Sequence, residues 1–544
     1  LDDKVYTAPT VQGEISGGHS SISGQFTPDE AADLANVLKA GKLPVSAKII
    51  EEAIVGPSLG QESIENGMLS FALAFLLILV YMVFYYGKAG GIADVALIAN
   101  IFFVFGVLTS IHATLTLPGI AGIVLTIGMS VDANVLIYER IREEIRAGKG
   151  MKLAIHDGYQ NAYSSIIDAN ITTLLTGIIL LIFGTGPIKG FATTLIIGIL
   201  TSLFSAIFIT RLIFEWYLSK KENVSFSTRW TDNVFNNLNF KFIGKRRMYY
   251  VISSIIILAG VVSLATRGLN YGVDFTGGRS YLVSFEKNID VNKVGIALAN
   301  VFVDENGLKQ RPEVKTYGTA NQVKITTKYM INESGIDTED KVVSTMYSGL
   351  NTLGLEYEKL SSQLVEPTIA DDIKQSAIWA VLFSILTIFL YILIRFRKWQ
   401  FGLGALVAVF HDVLVVLGVF SIFYSIAPWS MEIDQAFIAA ILTVVGYSIN
   451  DTVVVFDRIR EFVGLHKNRP YKQVVNDALN STLSRTINTS MSTFLVLLMI
   501  FIFGGEVIRG FVFALMVGVV VGTYSSLCVA APTVIDLSKE KDSE

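Results

Sequence analysis

The chain has 544 residues, 52% of them hydrophobic and only 17% charged, with a mean hydropathy of +0.53; soluble domains carry roughly 25% charged residues, so this is the composition of a membrane protein. A formal net charge of −4 argues against a nucleic-acid-binding surface, and the single cysteine, Cys528, sits in an apolar run and excludes an intrachain disulfide or a cysteine-based metal site. No G-x-x-x-x-G-K-[ST] phosphate loop, His-Glu-x-x-His or Gly-x-Ser-x-Gly motif occurs, so neither an ATP-driven motor nor a membrane hydrolase is expected.

The polar segment that begins at Leu1 reads as the middle of a domain. Within it Thr27-Pro-Asp-Glu30 is a capping box with Pro28 at the first helical position, and a strand follows from Lys48 to Val55. Apolar runs long enough to cross a bilayer then come as Met68 to Tyr86, Ile92 to Ile111, Leu117 to Tyr138, Ile166 to Gly184 and Phe191 to Trp216. A further run, Tyr249 to Thr266, precedes a polar stretch that predicts a strand (Ser280 to Glu286), a helix (Val291 to Val303), two strands (Glu313 to Tyr317, Gln322 to Thr327), a helix (Glu339 to Leu353) and a strand (Tyr357 to Val365). That order is β-α-β-β-α-β, a ferredoxin-like unit, and the N-terminal helix and strand read as the end of another such unit. Five more runs follow: Ile378 to Ile394, Gly402 to Ile426, Gln435 to Phe456, Thr486 to Phe503 and Phe511 to Ala531.

Lys and Arg crowd the loops at Arg140 to Lys152, Lys220 to Arg247, Arg395 to Lys398 and Arg458 to Lys472, all on one face, which the positive-inside rule makes cytoplasmic. Both polar segments then lie on the exported side. The two blocks of runs are repeats: Val55-Gly-Pro-Ser-Leu59 matches Val365-Glu-Pro-Thr-Ile369, Tyr138-Glu-Arg-Ile-Arg-Glu143 matches Phe456-Asp-Arg-Ile-Arg-Glu461, and Gly186-Pro-Ile-Lys-Gly-Phe191 matches Glu506-Val-Ile-Arg-Gly-Phe511. Matching segments on the same side imply a parallel repeat about a pseudo-twofold axis along the membrane normal. The fold class is therefore an α-helical polytopic membrane protein of two pseudo-symmetric halves with an exported α/β ferredoxin-like domain. About eleven helices of an expected twelve are present, the repeat implying a further helix and the front of the first domain.

Charged side chains within apolar runs are expensive and mark candidate sites. Asp132 and Asp451 lie at repeat-equivalent positions within one residue, flanked by Asn134 and Asn450. Asp168 and Arg485 each open a run, and Asp168 shares a helical face with Thr172 and Thr176. His411 and Asp412 interrupt another run. An Asp451 close to Arg485 would be a proton site switched by helix position, since a nearby guanidinium favours the ionised carboxylate and its departure the protonated one. The bland alternatives are interhelical hydrogen bonds or snorkelling for these residues, close helix packing for Gly128 and Gly446, a tight turn for Asp274-Phe-Thr-Gly-Gly278, and solvated helix extensions for the Glu-Arg-Ile-Arg-Glu runs.

Asp274-Phe-Thr-Gly-Gly278, Val131-Asp-Ala-Asn134, Asn450-Asp-Thr-Val-Val454 with Asp457-Arg-Ile-Arg460, and His411-Asp412 together resemble the SecD and SecF family, fused as in SecDF, over essentially the whole chain. The resemblance implies the resistance-nodulation-division plan in the bacterial cytoplasmic membrane. It implies an accessory subunit, not an enzyme, that uses the proton gradient (sodium in some members) to help move preproteins through the Sec channel after the SecA ATPase has acted. No cofactor beyond the coupling ion is implied. The partners it brings in are the SecYEG channel, SecA, YajC, YidC and the translocating preprotein. Asp132, Asp451 and Arg485 match the family's ion-pathway residues, with Asp168, Asn134, Asn450, His411 and Asp412 as supporting polar groups. The domain division becomes 1–66, the end of a first exported domain; 67–218, SecD-like helices; 219–247, a cytoplasmic linker; 248–267, the first SecF-like helix; 268–374, the second exported domain; 375–535, SecF-like helices; and 536–544, a cytoplasmic tail. A proton-coupled exporter of small molecules or lipids and a passive translocon scaffold are the competing readings.

Overall fold

The computed structural model describes every residue except 1–6, 11–12, 14–20, 41–49, 222, 233, 235–238, 304–306, 332, 334–337 and 539–544. The start of the predicted N-terminal strand and most of the tail lie outside the described residues. The elements run α1 (Pro28–Ala40), β1 (Glu51–Val55), α2 (Pro57–Tyr86), α3 (Lys88–Ser110), α4 (Leu117–Arg146), α5 (Met151–Phe183), α6 (Gly186–Phe204), a π-helical turn (Ser205–Ile209) and α7 (Thr210–Lys220). They continue with α8 (Arg246–Arg267), α9 (Val273–Thr276), β2 (Gly278–Phe285), α10 (Val291–Ala299), β3 (Glu313–Tyr317), β4 (Thr319–Thr327), α11 (Thr338–Asn351), β5 (Tyr357–Val365) and α12 (Pro367–Phe396). The last are α13 (Trp399–Phe423), α14 (Gln435–Leu465), α15 (Tyr471–Phe503), α16 (Glu506–Ser525), a second π-helical turn (Ser526–Ala530) and α17 (Ala531–Leu537). Among the described residues eleven helical stretches are long and apolar enough to span a membrane.

Local chemistry sets the helix starts. The capping box forms as read, with the Thr27 amide donating to Glu30 Oε2 at 2.8 Å and the Glu30 amide to Thr27 Oγ1 at 3.3 Å. Pro57 and Pro367 stand at the first turns of α2 and α12, where no amide proton is needed. Thr116 caps α4 and Asp434 caps α14 through side-chain acceptors.

The sheet has the order β1-β5-β2-β4-β3, antiparallel throughout. Its last four strands are the expected ferredoxin-like set. Tyr281, Val283 and Phe285 alternate along β2 onto one face, against Val294 and Leu298 of α10 and Val342 and Met346 of α11. β1 lies on the edge of this sheet, paired with β5, its own repeat counterpart, because the equivalent strands emerge side by side at the heads of α2 and α12. The Asp274-Phe-Thr-Gly-Gly278 segment is the predicted turn. Gly277 and Gly278 have φ of +64° and +135°, and a Cβ on Gly277 would lie 3.0 Å from Pro367 Cα.

In the bundle α4 and α14 are the most enclosed helices, their apolar windows 89% and 94% buried against 17–67% for the other spans. α4 packs on α15, and α14 on α5, a crossed arrangement obeying the repeat. Gly128 admits Thr493 and Gly446 admits Thr176, equivalent close approaches in the two halves, so these glycines serve packing. Repeat counterparts touch one another at successive levels. Ala53 faces Gln363 in the sheet, the Phe191 and Phe511 rings meet edge-on at 5.2 Å, and Asn450 Nδ2 donates to Asp132 Oδ2 at 2.8 Å. These self-contacts trace the pseudo-twofold axis from the sheet into the bundle.

Candidate functional site

On that axis α4 supplies Asp132, α14 Asn450 and Asp451, and α15 Arg485, all buried. Asp132 takes the Asn450 amide on one oxygen, and its other oxygen lies 3.4 Å from Arg485 Nη2. Asp451 Oδ2 accepts from Ser490 Oγ at 3.3 Å, and Ser490 in turn meets Thr523 Oγ1 of α16 at 2.5 Å. Asp451 Oδ1, Asn134 Oδ1, Asn450 Oδ1, Arg485 Nε and Nη1, and Asn488 Nδ2 are buried with no hydrogen-bond partner among the described residues. The cluster thus gathers donor and acceptor capacity beyond its internal hydrogen bonds at the seam between the halves.

Arg485 lies near enough to Asp451 to act on its charge, as expected, but its ion pair is with Asp132 of the other half, because its face of α15 packs on α4, while the Ser490 face meets α14 and α16. Asp168 and Arg485 also do not open their helices. α5 begins at Met151 and α15 at Tyr471, since the polar stretches before the apolar runs are helical too.

Asp168 lies apart from the axis. Arg395 of α12 reaches it with Nη2 at 2.5 Å and Tyr391 Oη donates to it at 2.8 Å. His411 and Asp412 form another buried group, among Ser253, Ser448 and Ser525. Asn134 Oδ1 has no hydrogen-bond partner among the described residues.

The Glu-Arg-Ile-Arg-Glu runs are not solvated extensions. Arg140 reaches Glu461 at 2.9 Å and Arg458 reaches Glu143 at 2.8 Å, each also binding the Glu of its own run, so four residues close a reciprocal ring across the axis. The two arginine side chains are only 10% and 9% exposed. The runs were visible in the sequence; their mutual pairing needed the twofold geometry. Asp94, half-buried with an unpaired Oδ1, is a further intramembrane carboxylate that sequence reading missed, although its place in an apolar run was the available signal.

The sheet is latched to the head of α14, the helix carrying Asn450 and Asp451. Asp274 accepts from Gln363 Nε2 of β5 at 2.7 Å and from the Gln435 amide at 2.9 Å, Lys324 of β4 pairs with Glu432, and the backbones of 270–272 and Ile433 exchange hydrogen bonds. Burial, with the Asp274 charge beside it, pushes the Asp434 carboxyl from 3.8 up to about 7. The docked state therefore holds a proton that the undocked one releases, and docking should weaken as pH rises from about 4 to about 7 and level off above. Asp434→Asn retains a capping acceptor and should flatten that slope. Thermal unfolding of both proteins across this pH range is the check; parallel slopes would remove Asp434 as the source.

Known proteins agree with this architecture. The profile of "Protein export membrane protein SecD/SecF, C-terminal" matches residues 36–220 and 345–540, that of the SecDF P1 head subdomain residues 1–45, and that of the SecD/SecF GG motif residues 262–289. The chain is 36% identical to protein translocase subunit SecDF of Brucella abortus biovar 1 (strain 9-941), spanning 98% of this chain and 68% of that one. It is 38% identical to the Thermus thermophilus SecDF, over 98% of this chain and 70% of that one. A crystal structure of SecDF from Thermus, described as a translocon-associated membrane protein, superposes with a TM-score of 0.81 at 36% identity, over 98% of this chain and 71% of that one. SecDF in a super-membrane-facing form superposes at 0.70, over 98% and 70% of the two chains. Matched by these family profiles and relatives along nearly its whole length, the chain belongs to the SecD/SecF family of protein-export membrane proteins, in the fused SecDF arrangement.

Proposed function

We propose that the chain is an accessory subunit of the Sec protein translocase in the bacterial cytoplasmic membrane, working beside SecYEG and SecA, with the sheet on the exported face. In this reading it uses the proton motive force to complete preprotein translocation after the ATP-dependent step. The observation that carries the proposal is the axial cluster of Asp132, Asn450, Asp451 and Arg485, where a carboxylate of each half adjoins one guanidinium at the seam between halves. A proton arriving at this seam changes the charge balance between Arg485 and the two carboxylates, and so biases how the halves sit against each other. Each charge moved across the membrane supplies about 2.3 kcal/mol per 100 mV, enough to bias a two-state bundle by more than tenfold. The latch at the head of α14 gives that motion a route to the sheet. A scaffold would need none of these buried charges.

The test is a preprotein halted after the ATP-driven step in vesicles carrying the complete protein, with and without an imposed proton gradient. Completion should require the gradient and be lost in Asp451→Asn. Completion indifferent to both would favour the scaffold reading.

A further inference from the structure

A second buried acid lies outside the axial cluster. Asp412 of α13 is 1% exposed; its Oδ1 takes His411 Nδ1 at 2.8 Å, and its Oδ2 takes Ser448 Oγ of α14 at 2.5 Å and Ser525 Oγ of α16 at 2.8 Å. His411 Nε2 lies 3.0 Å from Ser253 Oγ of α8, which lies 3.1 Å from Tyr524 Oη, and Tyr524 Oη donates to the Tyr249 carbonyl at 3.1 Å. Asp132, Asp168 and Asp457 each have an arginine partner, in Arg485, Arg395 and Arg460. Asp412 has none: among the described residues its only partner able to carry positive charge is His411. Tyr249, Tyr250, Tyr524, Cys528 and, on α14, Tyr447 and Asp451 also lie on the surrounding elements, none of them cationic; the cations of these helices stand toward their ends, as Arg246, Arg247 and Arg267 of α8, Arg458 and Arg460 of α14 and Arg509 of α16, and Arg246, Arg458, Arg460 and Arg509 are paired there to Asp536, Glu143, Asp457 and Glu506. An uncompensated carboxylate this deep is strongly disfavoured, so an added proton is the available counter-charge.

We propose that His411 and Asp412, with Ser253, Ser448 and Ser525, form a second proton-binding site, confined to the second half of the bundle. The hydrogen-bond chain accommodates both protonation states without moving a heavy atom. With His411 neutral, its Nδ1–H donates to Asp412 and the Ser253 hydroxyl donates to Nε2. With His411 as imidazolium, Nδ1–H still donates to Asp412, Nε2–H donates to Ser253, and the Ser253 hydroxyl turns to Tyr524, whose own proton stays on the Tyr249 carbonyl. One proton is gained and one hydroxyl rotates; the neutral state leaves the Ser253–Tyr524 contact without a proton, and the added proton completes the chain.

The repeat supplies an internal control. Ala99-Asn-Ile-Phe through Gly106-Val aligns without a gap on His411-Asp-Val-Leu through Gly418-Val, so Ala99 and Asn100 stand where His411 and Asp412 do. Ser130 and Ser205 mirror Ser448 and Ser525, and both halves carry a π-helical turn at this point, a deviation that concentrates at functional sites. The serine frame is thus duplicated, while the pair able to hold a proton occurs once. If the polar group only tied helices together, the amide tolerated in the first half would serve in the second. Asn100 Oδ1 and Ser205 Oγ have no partner among the described residues, so the first-half copy is not even a satisfied tie.

The complete protein, with ¹⁵N-histidine in lipid nanodiscs, tests this by nuclear magnetic resonance. A resonance missing from His411→Gln should change from the neutral to the imidazolium pattern as pH is lowered, and Asp412→Asn should convert most of that imidazolium to the neutral form at equal pH. A His411 held in one state throughout the wild-type titration would overturn the proposal, whether or not the Asp412 variant folds. So would an Asp412→Asn protein with an unchanged titration. The readout contains no translocation step, so it fails or succeeds independently of the proposed function.

Discussion

Asp132→Ala is expected to lower folding stability by about 3 kcal/mol and to abolish gradient-driven activity. Removing one partner of a buried ion pair costs about 3–5 kcal/mol because the other charge is stranded, and the single 3.4 Å contact to Arg485 Nη2 places this pair at the low end. Arg485 is left with Asp451 nearby but no ion pair, and Asn450 Nδ2 loses its acceptor as well. Adding Arg485→Met removes the stranded charge. The double variant should return to within about 1 kcal/mol of the parent, because an apolar side chain of similar length replaces a guanidinium that no longer has a role in packing. Activity should not return, since neither the axial carboxylate nor its cation is left. Unfolding in mild detergent for the four proteins of the cycle gives the first quantity, and gradient-dependent translocation the second. A double variant no more stable than Asp132→Ala would mean that the stranded guanidinium was not the cause.

Arg140→Glu should open the arginine-rich end of the bundle. Arg140 stands about 12 Å beyond Asp132 along α4, and with Glu143, Arg458 and Glu461 it closes the seam on that side. Glu461 is 40% exposed, so each cross-axis pair contributes only about 1 kcal/mol. Reversal replaces that attraction by repulsion among three carboxylates, a swing of about 2 kcal/mol, which shifts the ratio of open to closed seam roughly 30-fold. Proton entry into liposomes containing the variant, followed with a trapped pH dye, should rise accordingly. Glu461→Arg in the same chain re-forms the cross-axis pair with opposite polarity but sets like charges within each run, and should bring the leak part of the way back to the parent level. A leak that Arg140→Glu leaves unchanged would show that the ring does not close the pathway.

Much of the fold was legible because its determinants are local or periodic. The apolar runs, the Thr27–Glu30 box and the alternation of Tyr281, Val283 and Phe285 each announce an element within a few residues. The helix starts were misplaced wherever the signal was lipid contact, since Met151 to Ser165 and Tyr471 to Ser484 are helical without being apolar. The site was legible in its residues but not in its pairings. Desolvation cost singled out Asp132, Asp451 and Arg485, yet which carboxylate meets the guanidinium depends on which face of α15 packs on α4. The buried ring and the β1–β5 pairing are likewise products of the axis, which brings together residues roughly 300–320 positions apart in the chain.

The self-contacts along the axis have a consequence for how such a protein can arise. In a true homodimer every residue on the axis meets its identical copy, so an aspartate at position 132 would face a second aspartate at 2.8 Å. Two carboxylates at that distance cannot both be ionised and would be forced to share a proton, as in an aspartic protease dyad. Joining the halves in one polypeptide lifts the constraint: one copy can keep the acid while the other becomes Asn450, and the second acid moves one place along the helix to Asp451. A centre with two carboxylates and one arginine in independent charge states therefore requires halves of different sequence, and carrying both in one chain keeps them matched one to one.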